Sequence, residues 1–323
     1  MATFTTVGFI NAFGVFQEYY KSHQLHEQSE FDISWIGSFS SFMLFAGAVP
    51  AGIMVDKIGP FVPLAAGSVF LLLGIFMTSL CHEYYQYFLA QALLSGLGYA
   101  FVICPALATM PRYFKKARAL AMGITIAGSS VGGVIWPIML NNLLNHTSIS
   151  FGWTLRIVGF VMLPLLVIAC FTIRRPLTRP ETDSAVQETA EAKPDAAHPE
   201  GAADLPPLWK NSNFLILCFG LGLTYLGFFG PFFYISSYAV SLGESSSFSF
   251  YVVAILNAAS FVGRILPGLL ADRYGMWNLL VISVLTSAVV AFCWTAVTGV
   301  VGVVIWSIAY GFASGVSITS PKT

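Results

Sequence analysis

A short loop pattern occurs twice in this chain, once in each half, and each copy lies between two long apolar runs. The first copy occupies residues 52–59 and the second occupies residues 268–275. Both follow the order Gly-x-x-x-Asp-basic-x-Gly, which suits a tight turn whose charges lie just outside a lipid bilayer. The duplication predicts two related bundles of membrane helices. Two bundles that move about a central path are the usual architecture of a secondary transporter.

The composition agrees with a membrane protein. The 323 residues are 56% hydrophobic and only 9% charged, whereas a soluble domain carries about a quarter charged residues. So few charges cannot cover a water-facing surface. The formal net charge of zero argues against a nucleic-acid partner. The five cysteines form no Cys-x-x-Cys pair, and we interpret them as small apolar residues rather than as a metal or redox site.

Ten segments are long and apolar enough to cross a bilayer, which takes about 17–25 residues. They are residues 2–20, 33–55, 61–80, 85–110, 119–143, 153–173, 214–240, 247–271, 277–297 and 299–320. The first is the weakest, because it begins at Met1 and contains Asn11 and Gln17. It has neither a basic region nor a small-residue cleavage site, so we expect a membrane helix there rather than a signal peptide.

Residues 174–212 differ from both flanks in composition. Three arginines are followed by a stretch rich in Glu, Pro, Ala and Thr, with few aromatic residues. Such a segment cannot bury enough apolar surface to fold alone, which predicts a disordered linker. The linker divides the chain into an N-terminal bundle of six helices (1–173) and a C-terminal bundle of four (213–323).

The distribution of Lys and Arg predicts the orientation. With the linker on the inner side, twelve of the fifteen basic residues fall in inner segments, while the outer segments hold Lys21 and, at the membrane edge, Arg156. Basic loops stay in the cytoplasm, so the N-terminus and the linker are expected there. Asn145 begins an Asn-His-Thr glycosylation sequon, which this topology places outside.

Three longer stretches resemble a known family. The paired loops resemble the loop motif of the major facilitator superfamily. Residues 111–132, with a Tyr-Phe pair, basic residues and then Ala-Gly-Ser, resemble helices four and five of its monocarboxylate-transporter-like family. Residues 13–20 resemble the end of that family's first helix in its fungal branch, and residues 257–272 resemble its eighth helix.

The resemblance implies an all-α integral membrane protein with the major facilitator fold, in which about 10 of the usual 12 transmembrane helices form two bundles. It implies a secondary transporter that moves a small organic anion or an amphipathic metabolite by alternating access, with proton coupling as an open alternative. The expected partners are the small-molecule substrate and the lipid bilayer. The expected location is the plasma membrane, with the vacuolar membrane as an alternative.

The chain also departs from the family pattern. Animal carboxylate carriers have a lysine in helix one, and the nearest positions in this chain are Ile10 and Asn11. They also have an aspartate in helix eight, and that position here is Ser260. Both changes argue against proton-coupled transport of the lactate type. Two other hypotheses therefore stay open: an exporter of a secondary metabolite, and a truncated or sensory membrane protein that transports nothing, since helices eleven and twelve are missing.

Arg264 is the strongest candidate for a residue that lines the substrate path or couples transport to an ion. A guanidinium within an apolar span is costly and usually marks a pathway or a counter-ion, and Arg binds carboxylates with two hydrogen bonds. The alternative is an Arg that extends to the inner interface beside Asp272. Asn257 and Ser260 share a helix face with Arg264, which predicts a cavity lining or, alternatively, ordinary hydrogen bonds between helices. Asn11 completes this set of substrate-path candidates.

The paired loops are expected to act as gates. Their acids would pair with basic residues and face the positive end of a helix in the other half; simple turns with solvated charges are the alternative. The candidate gating residues are Gly52, Asp56, Lys57, Gly59, Arg112, Arg118, Gly268, Asp272, Arg273 and Gly275.

Helix five is rich in glycine, and Gly128 and Gly132 form a Gly-x-x-x-Gly pair that permits close helix approach. The pair predicts either static packing or a moving seam. The sequence contains no Walker loop, no His-Glu-x-x-His zinc site and no Gly-x-Ser-x-Gly elbow, so we expect neither an enzyme nor a metal or cofactor site.

Overall fold

The structure is a computed structural model, and it describes residues 1–114, 118–145, 147–173, 212–243, 246–274 and 276–316. Within these ranges every regular element is helical, so the fold is all-α as predicted. Six of the described helices are long and apolar enough to cross a membrane. Shorter apolar stretches occur at Leu215–Thr224, Tyr251–Leu266 and Val300–Gly315.

Within the described residues, the helices follow one another in ten segments that overlap the ten predicted spans. The first segment consists of α1 (Ala2–Thr5), α2 (Val7–Ile10), α3 (Phe13–Tyr19) and a π-helical turn at Tyr20–Gln24. It is followed by α4 (Glu30–Ile58), α5 (Phe61–Thr78), α6 (Tyr84–Tyr87), a second π-helical turn at Phe88–Leu94, α7 (Ser95–Tyr113), α8 (Arg118–Asn145), α9 (Phe151–Thr172), α10 (Ser212–Ser241), α11 (Ser246–Tyr274), α12 (Met276–Phe292), a 3₁₀ turn at Cys293–Ala296 and α13 (Val300–Val316).

The first predicted span is not one continuous helix. The backbone leaves the helical region at Thr6, where φ is −103° and ψ is −88°. The hydroxyl of Thr6 donates to the carbonyl of Ala2 at 2.8 Å, and that of Thr5 donates to the same carbonyl at 3.1 Å. Threonine hydroxyls that occupy a helix carbonyl compete with the backbone ladder, and here they coincide with the break between α1 and α2.

The turn predicted at residues 52–59 is smaller than the motif suggested. Residues 52–58 form the last two turns of α4, and the chain reverses only at Gly59, whose φ of 92° requires glycine. The next residue, Pro60, cannot continue the helix. In the second copy, residues 268–274 likewise belong to α11. The predicted turn is present in the first copy, but it is confined to the end of the motif, because the helix continues to Ile58 rather than ending at Val55.

α4 begins three residues before the predicted span because its first turn is capped. The hydroxyl of Ser29 accepts from the backbone N–H of Asp32 at 3.1 Å, and the Asp32 carboxylate accepts from the backbone N–H of Ser29 at 3.4 Å. This reciprocal pair satisfies two N–H groups that a helix start leaves open. Glu30 and Asp32 also place negative charge at the positive end of the helix.

Residues 1–175 and 231–323 form one compact unit, and the sites below lie within it. The other unit, residues 176–230, contributes the start of α10 to the described residues. The predicted linker at 174–212 lies outside the described residues except for Ser212. The division into bundles at 1–173 and 213–323 therefore stays a prediction.

Close helix contacts in this unit are made at glycines. A Cβ on Gly98 of α7 would lie 2.6 Å from the backbone nitrogen of Leu71 in α5, and one on Gly67 of α5 would lie 2.6 Å from the Cβ of Phe101 in α7. Small residues allow such contact because lipid tails give apolar helices no hydrophobic reason to associate. Large apolar side chains remain exposed on the outside, for example Phe292 at 79%, as expected for a surface solvated by lipid.

Candidate functional site

A polar contact joins the first segment to α11 in the middle of the unit. The side-chain Nδ2 of Asn11, between α2 and α3, donates to Oδ1 of Asn257 at 3.3 Å. Nδ2 of Asn257 in turn donates to the carbonyl of Val253 at 3.0 Å. Both side chains are buried. Gly133 of α8 packs directly against the Asn257 amide, where any Cβ would overlap it. The three elements therefore meet at this point.

Arg264 is held against α8 about two turns further along α11. Its side chain is only 2% exposed. Nη1 donates to the carbonyl of Ile126 at 3.1 Å and to the hydroxyl of Ser129. Ser260, also buried, lies on the same stretch of α11, and its hydroxyl has no hydrogen-bond partner among the described residues. We call Asn11, Asn257, Arg264 and Ser129 the polar seam.

The seam places the predicted stripe against other helices rather than in open space. Asn257 and Arg264 both contact α8, as their spacing on one helix face predicts. In this structure the Arg264 guanidinium binds a backbone carbonyl and a hydroxyl of α8. Its role in a substrate path or in coupling stays a prediction.

A large cavity lies at the end of the unit where α3 ends and α4 begins. Its volume is about 480 Å³. The lining combines Phe13, Gly14, Gln17, Glu18, Lys21, Ser22, Glu30, Ser34, Gly37 and Ser38 with Tyr234, Ser236 and Val240 of α10. Polar and charged side chains come from the segment ends, and aromatic rings come from α3 and α10. Such a lining suits a ligand with both apolar and polar parts.

A small cavity of about 20 Å³ continues from the large one toward the seam. It shares Gly14 and Ser236 with the large cavity and is also lined by Asn11, Phe232 and Val253. Asn11 therefore belongs both to this passage and to the polar contact with Asn257.

The gating candidates are only partly described. Asp56 and Lys57 are exposed at the end of α4. A Cβ added to Gly52 would lie 3.8 Å from the sulfur of Cys104. Five further candidates lie in described helices, but nothing is described of their side chains: Arg112, Arg118, Gly268, Asp272 and Arg273. Gly275 lies outside the described residues. The gating role stays a prediction.

Asn145 is exposed near the end of α8, and its Nδ2 donates to Oδ1 of Asn141 at 2.6 Å. His146, the middle residue of the sequon, is outside the described residues. Glycosylation therefore stays a prediction as well.

Among the described residues, no group of three or more His, Cys, Asp or Glu side chains could hold a metal ion. Burial raises the pKa of the Cys81 thiol, in the loop before α6, and this thiol donates to the carbonyl of Met77 at 3.2 Å.

Sequence reasoning missed a set of buried polar residues in the fourth predicted span. The Tyr20 hydroxyl donates to Oε1 of Gln91 at 2.6 Å, and the Tyr87 hydroxyl donates to Oε1 of Gln24 at 2.5 Å. The first bond joins the two π-helical turns, and the second joins the first π-helical turn to the last residue of α6. Gln91 stands alone within a long apolar run, and that isolation was the signal that could have marked it.

A family model described as the Major Facilitator Superfamily matches residues 1–321 of the chain. The chain is 48% identical over 316 residues to a protein of Aspergillus fumigatus named an MFS-type transporter, across 97% of this chain and 73% of that relative. It is 49% identical over 319 residues to an agnestins efflux protein of Paecilomyces divaricatus, across 99% of this chain and 69% of that relative. An aspyridones efflux protein of Emericella nidulans is 39% identical over 312 residues, across 97% of this chain and 60% of that relative.

Proposed function

This chain belongs to the Major Facilitator Superfamily of membrane transporters, and we propose that it exports an amphipathic secondary metabolite by alternating access. The observation that carries the proposal is the large cavity, together with the small cavity that shares its lining and reaches Asn11 of the polar seam. In the proposal, the large cavity opens to one side of the membrane and the seam closes the path below it. In alternating access a central site opens to one side of the membrane while the other side is shut. A cavity above a closed contact is one of the two states that such a cycle needs.

The bonds of the seam are of a kind that can open and close. Asn11 and Ser129 belong to the predicted N-terminal bundle, and Asn257 and Arg264 belong to the predicted C-terminal bundle. On this division, the hydrogen bonds cross from one bundle to the other. They would break when the bundles tilt, and water or substrate would then satisfy the same groups. Arg264 would thereby be buried in one state and accessible in the other, as a coupling residue needs to be.

The substrate class follows from the cavity and from the relatives. A volume of about 480 Å³ lies within the range for a single drug-sized ligand. The aromatic rings and the charged rim of the large cavity favour an amphipathic molecule over a small inorganic ion. Two relatives are named as efflux proteins of agnestins and aspyridones, and this supports export. The resemblance to monocarboxylate carriers adds an organic anion, with or without a proton, as the finer proposal.

Export places the protein in the plasma membrane with the N-terminus in the cytoplasm. The excess of Lys and Arg on the inner segments supports that orientation. The large cavity, beside residues 17–34, would then be open to the outside, which is the state in which an exporter releases its substrate.

Direction and coupling can be tested in yeast cells that express the chain with a fluorescent tag. Cells are loaded with a panel of aromatic carboxylic acids and polyketide phenols, and the compound remaining inside is followed over time. We expect faster loss than from cells without the protein, and slower loss after a protonophore if export uses the proton gradient. Net uptake from the medium would contradict export, and no flux with any compound in either direction would contradict the substrate class.

The same assay tests Arg264. Arg264→Ala should abolish export at equal surface level. Arg156→Ala is the matched control, because Arg156 is a second Arg within a helix but stacks on the exposed ring of Trp153, 5.0 Å from the ring centroid. Equal export from the parent and the Arg264→Ala variant would remove Arg264 from the proposed cycle.

A further inference from the structure

A much smaller cavity lies beside the large one and has no part in the function proposed above. Its volume is about 10 Å³, which is room for one water or one oxygen-sized group. Phe13 and Gly37 line both cavities. The ring of Phe13 packs directly on Gly37, where an added Cβ would overlap it. The Phe13 ring and Gly37 therefore border both spaces.

Three buried polar side chains line this small cavity: Ser40 of α4, Gln91 of the second π-helical turn and Tyr99 of α7. Their exposures are 5%, 7% and 2%. Neither the Ser40 hydroxyl nor the Tyr99 hydroxyl is hydrogen-bonded to another described residue, and neither is among the fully inaccessible unpaired atoms, so both oxygens are accessible to a water-sized probe. Polar groups in an apolar interior are normally paired with a protein group or a water. Their convergence on one cavity therefore leaves room for one polar atom of a ligand.

The amide of Gln91 is held so that only its NH₂ group is available. Its oxygen accepts the Tyr20 hydroxyl at 2.6 Å. The π-helical turn that carries it, Phe88–Leu94, is a rare conformation that occurs often at functional sites. Three hydrogen-bond donors, one amide and two hydroxyls, thus face a space of one oxygen atom.

We propose that this small cavity is a binding subsite for a neutral carbonyl or phenol oxygen on an aromatic ligand whose remainder occupies the large cavity. No charged side chain lines it, and Phe9 and Phe16 form apolar walls. A carboxylate would lose its hydration there without a cation to compensate. A neutral oxygen would instead gain hydrogen bonds from donors that lack them. The inference rests on the proposed function and deepens it by naming the chemistry of the substrate.

The test compares two probes that differ in one group. Benzophenone-4-carboxylate has a ketone between two rings, and 4-benzylbenzoate has a methylene group in its place. Their dissociation constants are measured by equilibrium dialysis with the purified chain in lipid nanodiscs. We expect the ketone to bind about three- to tenfold more tightly, which is the usual range for a neutral hydrogen bond.

Two variants should remove this preference by separate routes. Tyr99→Phe deletes a hydroxyl that is not hydrogen-bonded to another described residue, and Gln91→Leu deletes the amide. Tyr87→Phe and Ser68→Ala are the controls, because they delete buried hydroxyls that line neither cavity, and they should keep the preference. If Gln91→Leu fails to fold, Tyr99→Phe still decides.

Equal binding of both probes by the unmodified chain, or a preference that survives both variants, would overturn the subsite. Binding and export are read separately. A chain that prefers the ketone but exports nothing would contradict the proposed function and keep the subsite. A chain that exports its compound but binds both probes alike would contradict the subsite and keep the proposed function.

Discussion

Two adjacent serines in α8 show how the buried guanidinium is accommodated. Ser129 and Ser130 are both buried. The Ser129 hydroxyl accepts from Arg264 and donates to the carbonyl of Ile126 at 2.7 Å, whereas the Ser130 hydroxyl has no partner among the described residues. A charge in an apolar bundle is tolerated only where the protein supplies polar groups in place of water. Ser129 is one of those groups, and Ser130 is its natural control.

Ser129→Ala should therefore destabilise the protein, and Ser130→Ala should not. A hydrogen bond to a charged group contributes about 1.5–3 kcal/mol, and removing an unpaired buried hydroxyl is close to neutral or stabilising. We expect a lower midpoint of thermal unfolding in detergent for Ser129→Ala only. Equal midpoints for the two variants would mean that Arg264 does not depend on Ser129.

The contact between Asn11 and Asn257 can be measured apart from its surroundings. A double-mutant cycle with Asn11→Ala, Asn257→Ala and the double variant isolates the coupling free energy. Hydrogen bonds between membrane helices average about 0.6 kcal/mol and reach about 1.7 kcal/mol, and we expect a value in this range from chemical unfolding in mixed micelles. A coupling of zero would place the two amides apart in the state that dominates in solution.

At the scale of the element, α8 packs between the first segment and α11 and has a glycine on each of these two faces. Gly132 faces the first segment, where an added Cβ would lie 2.6 Å from the carbonyl oxygen of Phe4 and 2.9 Å from the Cα of Gly8. Its neighbour Gly133 faces α11, and the three atoms nearest to an added Cβ all belong to the side chain of Asn257. Two neighbouring residues point about 100° apart on a helix, so consecutive glycines open both faces to close contact.

The two glycines should respond differently to the same methyl group. Gly132→Ala places Cβ against backbone atoms on a neighbouring element, which cannot rotate away, and such overpacking costs about 1–3 kcal/mol. Gly133→Ala displaces one side chain, so the fold should survive while the Asn11–Asn257 contact weakens. Size-exclusion chromatography should show a loss of monodisperse protein for Gly132→Ala and little for Gly133→Ala. The opposite order would contradict the packing of α8.

The sequence predicted the helices well, because an apolar run of sufficient length admits few alternatives in lipid. It did not predict the break at Thr6 or the extension of α4 to Ile58, since both depend on local hydrogen bonds rather than on hydropathy. The stripe of Asn257, Ser260 and Arg264 followed from helical spacing alone. Its partners on α8 did not, because periodicity defines a face and does not identify what covers it.

At the scale of the whole molecule, the proposed path runs from the large cavity to the seam. Phe13, Gly14 and Ser236 line the large cavity, and Asn11 both lines the small cavity and belongs to the seam. The sequence could not predict which side is open, because a transporter visits both states with the same residues. Gln91, Ser40 and Tyr99 were missed for a related reason: Gln91 and Tyr99 stand in largely apolar runs and Ser40 is one of several serines in its span, so only the fold brings the three together.

Accessibility from the two sides of the membrane tests this arrangement directly. In a background in which the five native cysteines are replaced by serine, Ser236→Cys should react with a membrane-impermeant methanethiosulfonate reagent added outside intact cells, because Ser236 lines the large cavity. Ser260→Cys should not react, because this position is fully buried on α11. A transported substrate that drives the cycle should slow labelling at position 236 and expose position 260 from the inner side in inverted vesicles. Labelling of position 236 only from the inner side would reverse the predicted orientation. Rapid labelling of position 260 from outside would mean that the seam does not close the path.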